Sequence, residues 1–468
     1  MTNWSVCKSC LGIGKKKLKN KKKNKRDFNF NDEIITVHLN ENVSGIVKFT
    51  LCKKCNGSGI LKTDEPLISN VDKFPHVAII GLGISGVTLA VACLHRGIPF
   101  SIFERDTYFS QRSQGYGLTL KQANKITKAL GVTQFENGIV STKHIVFDVK
   151  GSVLGSWGKR KWMVDKNDKT TSKTNLHVAR QELRRVLLEQ LKESKNIFWN
   201  HRLIDFKSNS DTVNELTFLV NGEQKVFNAD LIVGADGIRS LVQNKLFQDT
   251  KPLKYLSCLV ILGICDLDKL SHLKSELLDS ETVFQTANGN ERIYVMPFSK
   301  SQVMWQLSFP MIEQDAISLS KKGMIFLKKE AIKRTKWHSP IPEIISATDE
   351  NLITGYPVYD REVINTELTL LNKPITLIGD AAHPMSPFKG QGANQAMIDG
   401  LNLAKTIYAK YNFNNFKKIN LREDVLNEFE SEMFRRSNVK VKESAKAAIF
   451  LHTTDVLAVS DQPRRKIE

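Results

Sequence analysis

The stretch that most constrains what this chain can fold into runs from His76 to Asp106, HVAIIGLGISGVTLAVACLHRGIPFSIFERD. Val77 to Ile80 reads as a buried parallel strand, the glycines after it as a turn, the segment to about Gly97 as a helix, and the next extended run as a strand stopping at Glu104. A dinucleotide pyrophosphate needs this order of elements. Gly81 permits the tight turn, Gly83 lets the backbone approach the phosphates, and Gly86 lets helix and strand pack closely. The helix start around Ser85 offers free N–H groups to the anion. Glu104, with Arg105 beside it, stands where a carboxylate can accept from a ribose hydroxyl. A bare glycine pattern would be weak evidence; the strand, the helix and the distal acid make it specific.

With 468 residues the chain is expected to hold two domains and a smaller extra piece. Val77 to Leu94 is uncharged and long enough to suggest a membrane span, but the glycine turn divides it into strand and helix. Met1 to Lys8 holds no apolar block of the signal-peptide kind, so a soluble protein with no transmembrane segment is expected. The net charge of +19 is uneven: residues 1–75 hold 15 Lys or Arg against 7 Asp or Glu. Much of that excess is KKKLKNKKKNKR, Lys15 to Arg26. Such a run could bind nucleic acid or act as a nuclear address, yet in a chain rich in Lys and Asn it reads rather as a solvated insertion.

Four of the seven cysteines form a repeat, Cys7-Lys-Ser-Cys10-Leu-Gly-Ile-Gly14 and Cys52-Lys-Lys-Cys55-Asn-Gly-Ser-Gly59, both CxxCxGxG. Two thiolates two residues apart can grip a metal from one tight turn, and two such knuckles make a four-sulfur zinc site. Free reduced thiols and a redox pair are the alternatives, and all three readings fit a reducing compartment, the cytoplasm. The repeat resembles the cysteine-rich zinc domain of DnaJ-type co-chaperones, which implies one Zn2+ for two repeats and suggests a protein partner. DEIITVHL and GIVKFTL between the knuckles read as a β-hairpin. Residues 1–65 are taken as this module and 66–75 as a linker.

With QRSQGYGLTL, Gln111 to Leu120, the chain is seen to resemble the flavin-dependent aromatic hydroxylases of the para-hydroxybenzoate hydroxylase fold, over roughly Phe74 to Val459. That stretch carries Arg112, Gly115 and Gly117, which the resemblance places at the flavin border. HVARQELRRVLLEQLKES, His177 to Ser194, reads as an amphipathic helix with Arg180 in its first turn, a position that in the family contacts the flavin. LIVGADGIRSLV matches the family's Asp-Gly motif; Asp236 and Gly237 form a turn in which the acid can cap the following helix and hold the loop against the pyrophosphate. PITLIGDAAHPMSPFKGQGANQAMIDGLNLAKTI matches the Gly-Asp motif. The resemblance gives Asp380 a ribityl hydroxyl, lays the loop around Pro387 against the isoalloxazine, and lets Gly390, Gln391 and Gly392 aim a long helix at the ring. Asn394 is expected to donate to the same edge, and His383 to be structural, satisfying backbone groups.

Leu256 to Met311 alternates with period two and reads as an antiparallel sheet, with Phe284, Tyr294, Met296, Trp305 and Gln306 as candidates for a substrate wall. Arg422 to about Val459 reads as one or two amphipathic helices, and FESEMFRRSNVKVKESAKAAIF resembles the final helix of the tetracycline-inactivating branch. The expected fold is α/β: a Rossmann-like FAD-binding domain with a parallel sheet (76–250 and 352–410), an antiparallel-sheet substrate domain (251–351), C-terminal helices (411–468) and the zinc module. The resemblance implies an FAD-dependent monooxygenase that takes electrons from NADPH or NADH. It captures O2 as a C4a-hydroperoxide and hydroxylates a small aromatic or polycyclic substrate. No catalytic acid or base is assigned. The alternatives are another FAD-dependent oxidoreductase, a nicotinamide dehydrogenase that would have no need of Asp236 or Asp380, and a zinc-stabilised adaptor with a vestigial flavin fold. A halogenase is disfavoured because Trp-x-Trp-x-Ile-Pro does not occur.

Overall fold

The computed structural model describes residues 3–17, 35–38, 46–65, 68–111, 116–120, 123–159, 175–209, 213–248, 250–364, 368, 371–413 and 419–462. Its centre is a five-stranded parallel sheet ordered Ile197–Phe198, Phe100–Phe103, Val77–Ile80, Leu231–Gly234, Ile375–Leu377. The three inner strands are Val- and Ile-rich and buried along nearly their whole length, as a sheet covered on both faces requires. Helix α1 (Ile84–Leu94) leaves the strand Val77–Ile80 through the glycine turn and is buried over Ile84 to Cys93. A Cβ on Gly86 would lie 1.9 Å from the Gly81 carbonyl oxygen, so only glycine lets α1 close onto its strand.

Helix α2 (Arg180–Glu189) begins three residues later than the sequence suggests, because His177 to Ala179 belong to the strand Asn175–Ala179. That strand pairs with Gly117–Leu120 and Ile139–Ser141, and strand pairing takes precedence there over the helical periodicity of Val178. Helix α3 (Leu241–Phe247) follows the Asp-Gly turn, and α4 (Gly392–Phe413) follows the Gly-Asp loop. Gly400 of α4 crosses α1 so closely that a Cβ would meet Leu89 N at 2.8 Å and Ser85 O at 3.0 Å. The C-terminal segment forms one long helix, α5 (Asn427–Phe450), after a π-type turn at Leu421–Leu426.

The second large sheet has seven strands, ordered Val153–Gly158, Lys143–Phe147, Thr282–Ala287, Arg292–Ser299, Gln302–Pro310, Leu253–Asp266, Ile353–Arg361. All its neighbours are antiparallel except Lys143–Phe147 with Thr282–Ala287, which run parallel. Period-two alternation divides it into two faces. Leu259, Phe284, Ile293, Trp305 and Phe309 pack among the helices at 313–347; Val260, Leu262, Met296, Met304 and Val358 face the other way. Phe284 and Trp305, offered from sequence as substrate-wall candidates, therefore belong to the helix-backed core. Trp305 cannot share a face with its neighbour Gln306, and its indole N–H donates to Thr348 Oγ1 at 2.9 Å.

In the N-terminal module Asn3–Val6 pairs with Ile60–Thr63, and Ile35–His38 with Ile46–Leu51 as the expected hairpin. Of the basic run, Lys15–Lys17 forms a strand beside Ile46–Leu51, and the rest lies outside the described residues.

Candidate active site

A cavity of about 570 Å³ lies where the C-terminal ends of the parallel strands meet the outward face of the seven-stranded sheet. It brings together Gly83, Ser85, Gly117, Arg180, Gly237, Asp380, Pro387, Gly390 and Gly392 of the residues read from sequence. Ligands of open α/β folds bind at this kind of position, beyond the carboxyl ends of the strands. Tyr294, Met296, Met304, Gln306 and Tyr356 form the opposite wall. Tyr294, Met296 and Gln306 were foreseen as a group; the backbone pleat selects them from Phe284 and Trp305. A second cleft, between Trp4, Lys62 and α2, gathers none of the predicted residues.

Each junction has a local cause. Gly81 has φ +102°, and a Cβ there would meet the Ala235 carbonyl oxygen at 2.6 Å, which ties the first turn to the Asp-Gly loop. The N-cap of α1 is Gly83, which makes no side-chain cap, so the first-turn N–H groups face the cavity beside Gly83 and Ser85. Glu104 does not line the cavity. Its two carboxylate oxygens accept from Leu82 N at 2.9 Å and Asp106 N at 3.1 Å, bracing the glycine turn from behind. Arg105 is exposed and does not line the cavity, and Arg112 and Gly115 lie outside the described residues.

Asp236 Oδ2 accepts from Leu241 N at 2.8 Å and Val242 N at 3.4 Å, and so helps cap α3. Its Oδ1 is buried without a partner among the described residues, and burial raises its carboxyl above the usual range. Asp380 opens on the cavity close to Gly392, whose added Cβ would sit 3.7 Å from Oδ1. Its low-dielectric surroundings raise its carboxyl, with His383 and Arg180 pulling the other way. Arg180 lies over the Tyr116 ring, 5.4 Å from the centroid. Asn394 turns its amide to the Thr119 and Gly390 carbonyls, both at 3.0 Å, and so ties the start of α4 to the strand Gly117–Leu120.

Two residues that sequence reasoning missed, Arg184 and Asp399, hold these junctions in place. Arg184, one turn after Arg180, donates from Nε to the Leu82 carbonyl at 2.7 Å and fixes the glycine turn. Asp399, on α4, accepts from Gly379 N at 2.9 Å and from Arg436 Nη2 of α5 at 2.6 Å, and shares a 2.6 Å hydrogen bond with His383 Nε2. The partner of His383 is thus a carboxylate rather than a backbone group. The only signal for Asp399 was an acid inside the otherwise apolar AMIDGLNLA.

The uncapped start of α1, the unpartnered oxygen of Asp236, the open approach at Gly83 and Gly237, and Asp380 beside the start of α4 fit a dinucleotide flavin lying along the strand ends. Fold and site together define a flavin-dependent oxidoreductase of the monooxygenase type. The chain belongs to the FAD binding domain family, whose model matches residues 75–414. It is 27% identical over 339 residues to the aurachin C monooxygenase/isomerase of Stigmatella aurantiaca, covering 71% of this chain and 80% of that one. Klebsiella pneumoniae HpxO, solved with FAD and uric acid, shares the fold at a TM-score of 0.66 with 19% identity, over 81% of this chain and 89% of that one. The tetracycline destructase Tet(51) shares it at 0.58 with 16% identity, over 84% and 93%. Among the described residues no helix is long and apolar enough to cross a membrane.

The four cysteines of the CxxCxGxG repeats also converge. Their sulfurs all lie within 4.8 Å of one another, with Cys7 to Cys52 at 4.0 Å and Cys10 to Cys55 at 3.6 Å. A tetrahedral zinc with Zn–S of about 2.3 Å requires S–S separations of about 3.8 Å. The knuckles interlock through their last glycines: a Cβ on Gly14 would lie 2.3 Å from Gly57 O, and one on Gly59 would lie 2.4 Å from Gly12 O. Gly14 N and Gly59 N each donate to a sulfur, Cys10 and Cys55, at 3.3 Å.

Proposed function

We propose that this flavoprotein hydroxylates a small aromatic or polycyclic substrate, taking electrons from NADPH or NADH and leaving one oxygen of O2 in the product and the other in water. The observation that supports it is the single cavity between the three flavin-type junctions and the apolar sheet wall. Bound FAD supplies the electron transfer and oxygen activation. The chain's own residues bind, orient and exclude water. The first-turn N–H groups of α1 would take the diphosphate, with Glu104 behind them near the adenylate end. Asp380 would accept from a ribityl hydroxyl, and the start of α4 would place its positive end at the ring edge. Asp236, Gly237 and Arg180 would hold the loops that close on the cofactor. Tyr294, Met296, Met304 and Tyr356 make a mostly apolar wall suited to a flat ring, with Gln306 as a polar contact.

Behind Tyr294, Arg292 is 5% exposed and has its Nε held by Gln285 at 2.8 Å; burial brings it down to about 10. Its guanidinium makes no ion pair among the described residues and does not line the cavity, so it backs the Tyr294 ring. We place the nicotinamide transiently over the flavin cleft and the protein in the cytoplasm. One Zn2+ is assigned to Cys7, Cys10, Cys52 and Cys55, and a protein partner, if one binds, to that module.

The purified chain should be yellow and oxidise NAD(P)H faster with a suitable aromatic acid or phenol, giving a product heavier by one oxygen atom. NAD(P)H consumption that yields only hydrogen peroxide across a panel of aromatic acids, phenols and polycyclic phenols would overturn the hydroxylase reading in favour of another flavin oxidoreductase.

A further inference from the structure

Arg96 follows the end of α1 and is 3% exposed. Nη1 donates to the Ala92 carbonyl at 2.9 Å, an ordinary tie to a helix C-terminus, but Nε and Nη2 are buried with no partner among the described residues. The groups within electrostatic reach of it are Cys93, Tyr408 and Cys10, and no carboxylate is among them. Burial pushes the Cys93 thiol up to about 12 and raises Tyr408 as well, so neither is an anion at neutral pH. Lys405, on α4 one turn before Tyr408, makes no hydrogen bond or ion pair among the described residues. The groups that act on it are Arg96, Lys15, Cys10 and Cys55. Arg96 and Lys405 thus lie within electrostatic reach of Cys10, with Lys15 of the module as a third cation within reach of Lys405, and Tyr408, one turn on from Lys405, meets the module at Gly12. Buried charges are otherwise paired.

The protonation and oxidation states open to the cluster differ in charge. Four thiols, or two disulfides, are neutral and would leave both cations uncompensated. Four thiolates around a divalent ion carry a net charge of −2, opposite in sign to Arg96, Lys405 and Lys15. We propose that Arg96 and Lys405 are the counter-charges of a divalent metal tetrathiolate, so that metal binding docks the N-terminal module onto α1 and α4. This rests on the metal reading above. The contacts at the junction agree with it: Trp4 packs on Gly131 so closely that a Cβ there would meet its Nε1 at 2.4 Å, a Cβ on Gly12 would reach the Tyr408 ring at 4.0 Å, and Phe74 of the linker stacks on Tyr408 at 5.7 Å. The two helices that receive the module are the ones whose N-termini border the flavin cavity.

The test uses the full-length flavoprotein titrated with Zn2+ and Co2+ against a chromophoric chelator. Wild type is expected to hold one ion per chain, with the charge-transfer bands of a cobalt tetrathiolate. Arg96→Gln and Lys405→Met should each weaken metal binding at least tenfold, whereas Arg96→Lys and Lys405→Arg should restore most of it. Stripping the metal from wild type should lower the temperature at which flavin is released. Absence of any bound metal in wild type would sink the metal reading and this inference together. Metal bound with wild-type affinity in both neutral variants, or lost equally in the charge-conserving pair, would sink the counter-charge assignment alone. Should Arg96→Gln fail to fold, the Lys405 pair and the flavin-release temperature still decide.

Discussion

His383 Nε2 lies 2.6 Å from Asp399 Oδ2, both side chains fully buried beneath the Gly-Asp loop. Asp399 also takes Gly379 N and Arg436 Nη2, so one carboxylate joins the end of the last parallel strand, α4 and the C-terminal helix α5. The acid that faces the cavity, Asp380, is positioned by this hidden one.

Replacing that hidden acid should loosen the loop. Burial pushes the Asp399 carboxyl up, but His383 and Arg436 more than offset this and hold it below the usual range. A depressed folded value means stabilisation that is present above the unfolded carboxylate range, near pH 4, and is lost as pH falls through the folded value. Asp399→Asn should cost about 3–5 kcal/mol near neutral pH, because it leaves Arg436 without its buried partner, and should remove part of the acid sensitivity. Thermal melts across pH 3 to pH 8 (about one unit apart) would show it; equal slopes for both proteins would contradict it.

Asp380 should behave in the opposite sense. Its surroundings raise its carboxyl, but the side chain is exposed in the flavin-free cavity, so its contribution to apoprotein stability is small and declines as pH rises. Asp380→Asn should therefore leave apoprotein stability nearly unchanged while weakening flavin binding by about ten- to a hundredfold, the worth of a hydrogen bond to a charged group. Flavin titration and melts of the apoprotein measure the two effects separately.

The glycine turns offer a graded comparison. Gly86→Ala meets the Gly81 carbonyl and should give colourless or unfolded protein, whereas Gly83→Ala, with nothing nearer than Ala235 O at 4.0 Å, should fold and bind flavin more weakly. Flavin absorbance per protein after gel filtration reads both.

At the knuckles, Gly14→Ala combines φ +80° with a backbone overlap at Gly57 and should abolish metal retention, while Lys53→Ala, on an exposed turn position, should leave it unchanged. Elemental analysis of the purified proteins is sufficient.

On the seven-stranded sheet, Gln306→Leu should raise KM for the substrate with little loss of stability. Trp305→Phe should do the reverse, losing its hydrogen bond to Thr348 at a cost of about 1–3 kcal/mol, because the two residues face opposite sides. Steady-state kinetics and denaturant melts distinguish them.

Much of the architecture was legible because its signals are local. Apolar runs closed by Gly81, Gly234 and Gly379 could only be buried strands turning into helices, and CxxCxGxG could be recognised from spacing alone. The start of α2 was misplaced because helical periodicity and strand pairing compete over His177 to Ala179, and pairing is a non-local fact. Trp305 and Gln306 stood together as candidates because a list of apolar residues does not fix which side of a pleat meets the cavity.

By itself the sequence determined the parallel-sheet flavin fold, the three strand-to-turn junctions and the two CxxCxGxG knuckles, since each depends on residues within one short segment. Only the tertiary structure decided which carboxylate faces the cavity and which lies beneath it, that Glu104 braces the turn through backbone N–H groups, and that Arg96 and Lys405 lie within electrostatic reach of Cys10. Such relations join segments far apart in the chain, and burial, which sets the energy of every charge among them, exists only once those segments have packed.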